Sequence, residues 1–366
     1  MLCAPHVGCS AGEFCSAGAC LRVTAVATRT YCTCAITSAG GVQCWGYNND
    51  YQLGNGTTAS SDVPVAVTDV SSGVTALAVE EYEVCALTAG GVLQCWGLDY
   101  GGTPSAFSGF SSAVTAISGG YNNSCAVTSA GAVQCWGYNH DGELGDGTTT
   151  NNDSPVSVTG ITSGATAVAC GTYHGCAVVG GSVQCWGLNN WGNLGNGAMG
   201  GSELTPVAVT SLTGVVAVTA GYGHTCALTS TGGAWCWGMN MYGEIGNNST
   251  ANALVPVAVQ GLPSSVVAIS AGAYHTCAVT SAGAVWCWGA NDSGQLGNDT
   301  MTQSLLPVPV TNLSSGAVSV AAGEAHTCAT TSASGTLCWG YNPDGELGNG
   351  TMTTTPSLVP TTVVEP

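Results

Sequence analysis

The chain of 366 residues contains no lysine, and its only arginines are Arg22 and Arg29, set against 20 acidic residues. The resulting formal charge of −18 argues against nucleic acid as a partner, because neutralising a phosphate backbone needs clustered Lys and Arg. Anionic membrane surfaces are disfavoured on the same ground. The acidity comes from missing bases, since only 6% of residues are charged, which separates the chain from a disordered acidic tail. No apolar run approaches the ~20 residues needed to cross a bilayer, so membrane insertion is not expected. Met1 is not followed by a basic segment and an apolar stretch, so secretion would require a leader removed from, or lying outside, this sequence. No Cys-x-x-Cys pair occurs, which removes the usual signature of a zinc knuckle. A nucleophile elbow and recurrent paired carboxylates are also missing, so neither an enzyme nor a cofactor is expected.

Against these absences stand 20 cysteines in a chain rich in Gly, Ser and Thr. That usage points to an oxidising compartment, and the expected location is extracellular or at a cell surface. A repeat dominates the rest. The triplet Cys-Trp-Gly recurs with its tryptophan at Trp45, Trp96, Trp136, Trp186, Trp237, Trp288 and Trp339, spaced by 51, 40, 50, 51, 51 and 51 residues. Each unit contains short β-branched or aromatic stretches separated by Gly, Ser and Asn, as in AISAG, TCAVT and AVWCWG of the sixth. A Pro-led segment (Pro64, Pro155, Pro206, Pro256, Pro307, Pro360) supplies a fourth, and proline at the start of a strand suits a sheet edge. Four strands in each of seven units predict an all-β, seven-bladed β-propeller over residues 21–366. The chain enters the repeat at VTAVATRTYCTCAI and leaves after LVPTTVV, which predicts a ring closed by strands from both termini.

Every unit carries a cysteine pair: Cys34 and Cys44, Cys85 and Cys95, Cys125 and Cys135, Cys176 and Cys185, Cys226 and Cys236, Cys277 and Cys287, Cys328 and Cys338. Six pairs are ten residues apart about a small-residue turn. The fourth is nine apart about Gly180-Gly181, a two-residue hairpin signal. Both spacings set the two cysteines opposite each other on antiparallel strands, within disulfide reach. Six cysteines remain: Cys3, Cys9, Cys15, Cys20, Cys32 and Cys170. The first four fall in a segment, residues 1–20, too small for a core and expected to form a two-disulfide knot. Cys32 and Cys170 interrupt the repeat; they are expected either to tie this knot to the ring or to link neighbouring chains.

The string AG-x-x-HTCA…GAVWCWG-x-N-x-x-GQLGN resembles the repeat of the regulator of chromosome condensation family. Its marks are Gly221 to His224, Trp237-Gly238 and the loop Asn291 to Gly297, with variants in the other units. The resemblance implies a seven-bladed propeller, and the cysteine beside each tryptophan is similar to that of Cys-rich bacterial extracellular relatives. Chromatin binding and nucleotide exchange, known in the family, imply basic segments that this chain does not have. Another relative, a bacterial β-lactamase inhibitor protein, clamps an enzyme with one loop-covered face, so fold alone does not assign the function.

Several positions are candidates for chemistry. His174, His224, His275 and His326 recur two residues before the first blade cysteine, but Cys32, Glu83 and Asn123 stand there in the other units. An incomplete ring favours a repeat-encoded polar residue bonded to a neighbouring backbone over a metal site. The loop NHDGELGDG is superficially like a calcium loop, with Asp141, Glu143 and Asp146 as its best ligands. It lacks alternating acids and a terminal bidentate Glu, so no metal is assigned. Tyr31, Tyr82, Tyr121, Tyr173, Tyr222 and Tyr274 lie three or four residues before the first cysteine of six units. They predict a ring of phenols around the central channel, a platform that gives contact area and a hydrogen bond at low entropic cost. Trp191 and Tyr51 are further exposed aromatic candidates. The second unit deletes the Asn-x-x-Gly loop, running from Trp96 through GLDYGGTPSAF, and such a gap suits docking better than folding. The expected function is a non-enzymatic bacterial extracellular binding protein recognising a protein or glycan through one loop face. The alternative is a self-assembling subunit of a filament or surface layer, built on further copies of itself through the N-terminal segment.

Overall fold

The computed structural model describes residues 9, 13–16, 19–333 and 335–364. Seven four-stranded antiparallel sheets follow one another along the chain, over residues 23–66, 74–107, 114–157, 165–208, 215–258, 266–309 and 317–362. They are the blades, one to seven. In each, the chain runs outward from an inner strand, such as Val266–Ala271, through His275–Thr280 and Val285–Gly289 to an outer strand, here Ser304–Pro309. Six of the seven outer strands carry one of the six prolines, on the sheet edge as expected, although inside the strand and not at its start; the outer strand of blade two, Gly101–Phe107, carries Pro104 instead.

The expected closure by strands from both termini is not what the structure contains. Blade one is built wholly from residues 23–66 and blade seven wholly from residues 317–362. The Pro-led strand pairs with the Trp-Gly strand that precedes it, as Thr353–Thr362 pairs with Gly335–Asn342, so each unit starts at its inner strand and none is left over. Side chains close the ring instead. Thr33 Oγ1 and Trp45 Nε1 of blade one both donate to the Glu346 carbonyl of blade seven, at 3.1 and 2.8 Å.

The core lies between blades. Val279, Val285, Leu296 and Leu313 pack against Val320, Ala329 and Trp339 of the next blade, and this pattern repeats around the ring. The seven expected blade disulfides are all formed across the two middle strands, with cysteines in direct register and Cα atoms 4.1 Å apart in Cys277–Cys287 and 4.0 Å apart in Cys176–Cys185. In blade four the shorter spacing is met by Gly180 and Gly181, whose φ values of 58° and 78° allow a two-residue hairpin. Before the ring, Phe14–Ser16 pairs with Ala19–Leu21, and Cys9 is bonded to Cys20. Cys15 sits opposite Cys20 in this hairpin; Cys3, needed for the expected second bridge, lies outside the described residues.

Candidate functional site

In every blade the inner strand ends in a three-residue turn that faces one mouth of the central channel. Blade by blade these turns are 29–31, 80–82, 120–122, 171–173, 221–223, 272–274 and 323–325. Five open with glycine because no space is left: a Cβ on Gly272 would collide with the Gly323 carbonyl and stand 2.6 Å from Cε1 of His275. Blades one and two open with Arg29 and Glu80, and there the histidine is replaced by Cys32 and Glu83. In blades four to seven the histidine and the glycine pack as one unit, and in blade three Asn123 takes the histidine's place against Gly120.

The histidines join blades. His174 Nε2 lies 2.7 Å from Thr225 Oγ1, His224 3.0 Å from Thr276, His275 2.8 Å from Thr327, and His326 3.0 Å from Thr33. Each threonine hydroxyl donates in turn to a loop carbonyl, such as that of Glu244, which also accepts Trp288 Nε1–H at 2.7 Å. With its hydroxyl hydrogen committed, the threonine accepts from Nε2–H, so the imidazole is the neutral Nε2 tautomer. Burial pushes His174, His224 and His275 down to about 3 and His326 to about 4. The expected partner was backbone; it is a hydroxyl one blade on. Where histidine is missing so is the threonine: Cys32 is followed one blade later by Val84, and both are buried in one apolar cluster. That paired change is legible in the repeat once residues one blade apart are compared.

The acids of the calcium-like loop serve the loop itself. Glu143 Oε2 accepts the Asp141 N–H at 2.8 Å, and Asp146 Oδ1 accepts both the Thr148 N–H and its hydroxyl, at 2.9 and 2.8 Å. Asn139 anchors the turn by accepting the Leu144 N–H at 2.9 Å and donating to the Thr150 carbonyl at 3.0 Å. Burial pushes Glu143, Glu244 and Glu346 each up to about 7.

Five of the six candidate tyrosines meet. Tyr31, Tyr121, Tyr173, Tyr222 and Tyr274 line one cavity of about 230 Å³ at the channel mouth, with Arg29, Thr172 and Glu324 beside them. Tyrosines at the second turn position (Tyr121, Tyr222) interleave with those at the third (Tyr31, Tyr173, Tyr274), which brings neighbours into contact. Tyr173 and Tyr222 hold their hydroxyls 3.3 Å apart, and the Tyr222 and Tyr274 rings are 5.0 Å apart. Trp191 joins them, 5.7 Å from Tyr222, and Tyr242 joins at 5.7 Å from Tyr274. Tyr51 stays outside the cavity and packs toward Gly102. Tyr82 does not join the expected ring either. It lines a separate groove, because blade two lacks the loop that fills this position elsewhere.

That groove, about 550 Å³, runs between blades two and three past Glu80, Glu83, Asp99, Tyr100, Trp136 and Asp153. Burial pushes Glu80 up to about 7 and Glu83 up to about 8; Glu83 is further raised by the nearby Glu80 and Asp99 charges. Glu80 accepts a hydrogen bond from Ser124, and Arg29 lies close enough to act on it electrostatically.

Cys32 and Cys170 are corrected by the structure. Both are free thiols inside the ring, 1% and 2% exposed, and neither reaches the N-terminal segment or the surface. Burial pushes Cys32 up to about 12 and Cys170 higher still. Cys170 stands where later blades have Ala220, Ala271 and Ala322, a small position that takes a thiol readily, whereas Cys32 fills a histidine position and packs with Val84 in one apolar cluster.

No group of three or more potential metal-ligating side chains occurs among the described residues. No helix among them is long and apolar enough to cross a membrane. The family model described as the RCC1-like domain matches residues 101–366, and that of the regulator of chromosome condensation (RCC1) repeat matches residues 39–80. Human E3 ubiquitin-protein ligase HERC2 is 39% identical over 106 residues, which is 28% of this chain but 2% of that protein. Mouse probable E3 ubiquitin-protein ligase HERC4 is 36% identical over 34% of this chain and 12% of its own length. The chain thus spans only a small part of the curated relatives it matches. Among solved structures, yeast RCC1 (Prp20) bound to Kap60 superposes with a TM-score of 0.78 at 20% identity, covering 94% of this chain and 85% of that one. Human WBSCR16 gives 0.75 at 21% identity over 84% and 86%. These relatives are eukaryotic, which lends the expected bacterial source no support.

Proposed function

Because the chain belongs to the RCC1-like family, and the similar yeast RCC1 (Prp20) is seen bound to Kap60, we propose that it is a non-enzymatic propeller that binds a protein through the tyrosine-lined mouth of its channel. The observation that carries this reading is the convergence of Tyr31, Tyr121, Tyr173, Tyr222 and Tyr274 on one cavity, flanked by Trp191 and Tyr242. Aromatic rings with a hydroxyl edge are the side chains most enriched at binding hot spots. Nothing in the packing demands a phenol at these turns, since Ala273 and Ala325 occupy two of the same positions. A disulfide in each blade supports an extracellular or cell-surface location, with residues 1–20 as a small appended knot. The filament reading loses the two cysteines that motivated it, because Cys32 and Cys170 are enclosed.

The test is capture of binding partners by immobilised wild type, by Tyr222→Ser/Tyr274→Ser, and by a variant changed on an outer strand, such as Val255→Ser. A protein partner lost on the mouth variant and kept on the outer-strand variant is the expected result. Capture of an oligosaccharide at the mouth would reassign the ligand class, and equal retention by all three proteins would remove the mouth from the function.

A further inference from the structure

The acidic residues of the ring gather at one end of it. The second strand of each blade starts at the mouth turn and pairs with the end of the third, as His275 does with Gly289. The loop that follows each Trp-Gly pair therefore returns to the mouth end. Among the described residues of the ring, every Asp and Glu except Asp69 lies in a mouth turn, in one of these loops or at a strand end that they join. The opposite end is built from neutral hairpins, such as residues 281–284, and short linkers. With no lysine in the chain, Arg29 is the one Lys or Arg set among these acids.

Arg29 leaves part of this charge unmatched. Its guanidinium crosses the channel, with Nη2 3.5 Å from Thr172 Oγ1 of blade four, and forms no ion pair among the described residues. Glu81 and Glu324 hold the second turn position in the blades on either side of it. The turn itself does not require an acid there, since Thr30, Thr172 and Ala273 hold the same position. Glu81 is engaged by the Tyr82 and Tyr121 hydroxyls. Glu324 is not so engaged. Its N–H donates to the Arg29 carbonyl at 3.1 Å, which fixes the turn, while its half-buried carboxyl borders the tyrosine cavity between Tyr274 and Tyr31. Burial pushes that carboxyl above its ordinary range, Glu81 adds to the effect, and Arg29 opposes it without cancelling it. A further cation would complete the site.

We propose that the mouth takes a Lys or Arg side chain from a basic surface of the protein partner, seated against the tyrosine rings of the cavity of about 230 Å³ with its charge toward Glu324. This rests on the mouth being the binding site, and it names what enters. A long side chain with an apolar stem and a cationic head meets both halves of the cavity: aromatic faces attract the cation and cover the stem, and the carboxylate pairs with the head. The acidic end steers a basic partner toward the mouth. It repels a second copy of this chain, whose only cationic side chains of this kind are Arg22 and Arg29.

The experiment titrates the whole chain with capped Gly-Ser-Lys-Ser-Gly and capped Gly-Ser-Arg-Ser-Gly, followed through the NMR spectrum of the peptide. Peptides with norleucine or Glu at the central position are the controls. The expected result is saturable binding of a cationic peptide, its side-chain methylene protons shifted upfield by the tyrosine ring currents, and no binding of the Glu peptide. Affinity falls about fivefold in Glu324→Gln, which keeps the shape of the cavity, and comparably in Tyr222→Ser. It is unchanged in Val255→Ser on an outer strand. Melting curves show that each variant is folded, and Glu324→Gln carries the test if Tyr222→Ser is not. A norleucine peptide bound as well as the lysine peptide, and lost in Tyr222→Ser, would overturn the cation while leaving the mouth as the docking site. Equal binding of the cationic peptides by wild type, Glu324→Gln and Tyr222→Ser, without ring-current shifts, would reduce it to diffuse attraction and overturn it. No binding of either cationic peptide would overturn it as well; the mouth reading would then stand or fall separately, on whether Tyr222→Ser/Tyr274→Ser loses a protein captured by the wild type.

Discussion

His326 of the last blade and Thr33 of the first stand with Nε2 and Oγ1 3.0 Å apart, 293 residues from each other in sequence. This is the same contact that joins blades four to five, five to six and six to seven. The two ends of the propeller are therefore held by an ordinary blade junction and not by a shared sheet.

It follows that Thr33→Val will cost as much stability as Thr276→Val, a junction in the middle of the chain. Each leaves an imidazole N–H buried without an acceptor, a loss of about 1–3 kcal/mol by chemical denaturation. Adding His326→Cys to Thr33→Val should recover part of it, because Cys32 and Val84 are the same pair as this protein already uses at the first junction. If Thr33→Val were much milder than Thr276→Val, the ends would be held by something other than this junction.

Stability should peak in mildly acidic solution. The neutral histidines have folded values of about 3 to 4 against an ordinary 6.5, so the unfolded chain binds more protons through them. Their contribution is complete above pH 6.5 and is lost as pH falls toward 3. Glu80, Glu83, Glu143, Glu244 and Glu346 have the opposite sign: with folded values of about 7 to 8 against 4.5, they favour the fold below pH 4.5 and lose that advantage as pH rises to about 8. The two sets oppose each other between pH 4.5 and 6.5. Melting temperature measured across pH 3 to 9 should form a broad plateau there and fall on both sides. Glu244→Gln should flatten the alkaline limb, and a melting temperature that climbs steadily from pH 6 to 8 would contradict the assignment.

Fold and blade disulfides were legible because they repeat: a signal written seven times survives the variation of any one copy. What was hidden lies where the repeat is broken. Cys32 looked spare because it stands in a histidine position, yet its burial depends on Val84, 52 residues further along. Tyr82 looked like one more member of a ring, but the loop deletion after Trp96 opens a groove beside it. The phase of the repeat was also ambiguous in one dimension, since a cyclic pattern read from either of two starting points gives the same strands with a different seam; only the pairing of Thr353–Thr362 with Gly335–Asn342 fixes it.

The blade cystines are all fully enclosed or nearly so, which predicts slow chemistry in the native state. Without denaturant, iodoacetamide should fail to label Cys32 and Cys170, whose thiols are both buried and shifted far above neutral pH. In guanidinium without reductant both should label fully while the fourteen blade cysteines do not. With reductant added, those fourteen should label as well, and refolding should become less stable by roughly 2–3 kcal/mol per blade staple lost. Peptide mapping gives the answer directly; native labelling of Cys32 would mean that blade one opens readily at the channel.

The histidine and the turn glycine should prove to be coupled. Gly272→Ala places a methyl against the Gly323 carbonyl and His275 Cε1, so it should destabilise by about 1–3 kcal/mol, as overpacking in a filled interior does. His275→Cys removes the imidazole and leaves Thr327 without its partner, which carries its own cost. The double variant, however, recreates the combination of the first blade, where Arg29 carries a full side chain and Cys32 makes room for it. Its destabilisation should therefore be smaller than the two single values combined, by a coupling of at least about 1 kcal/mol in a double-mutant cycle. Strict additivity would mean that the next blade's carbonyl alone demands glycine, and that the presence of Arg29 depends on a shift of blade two instead.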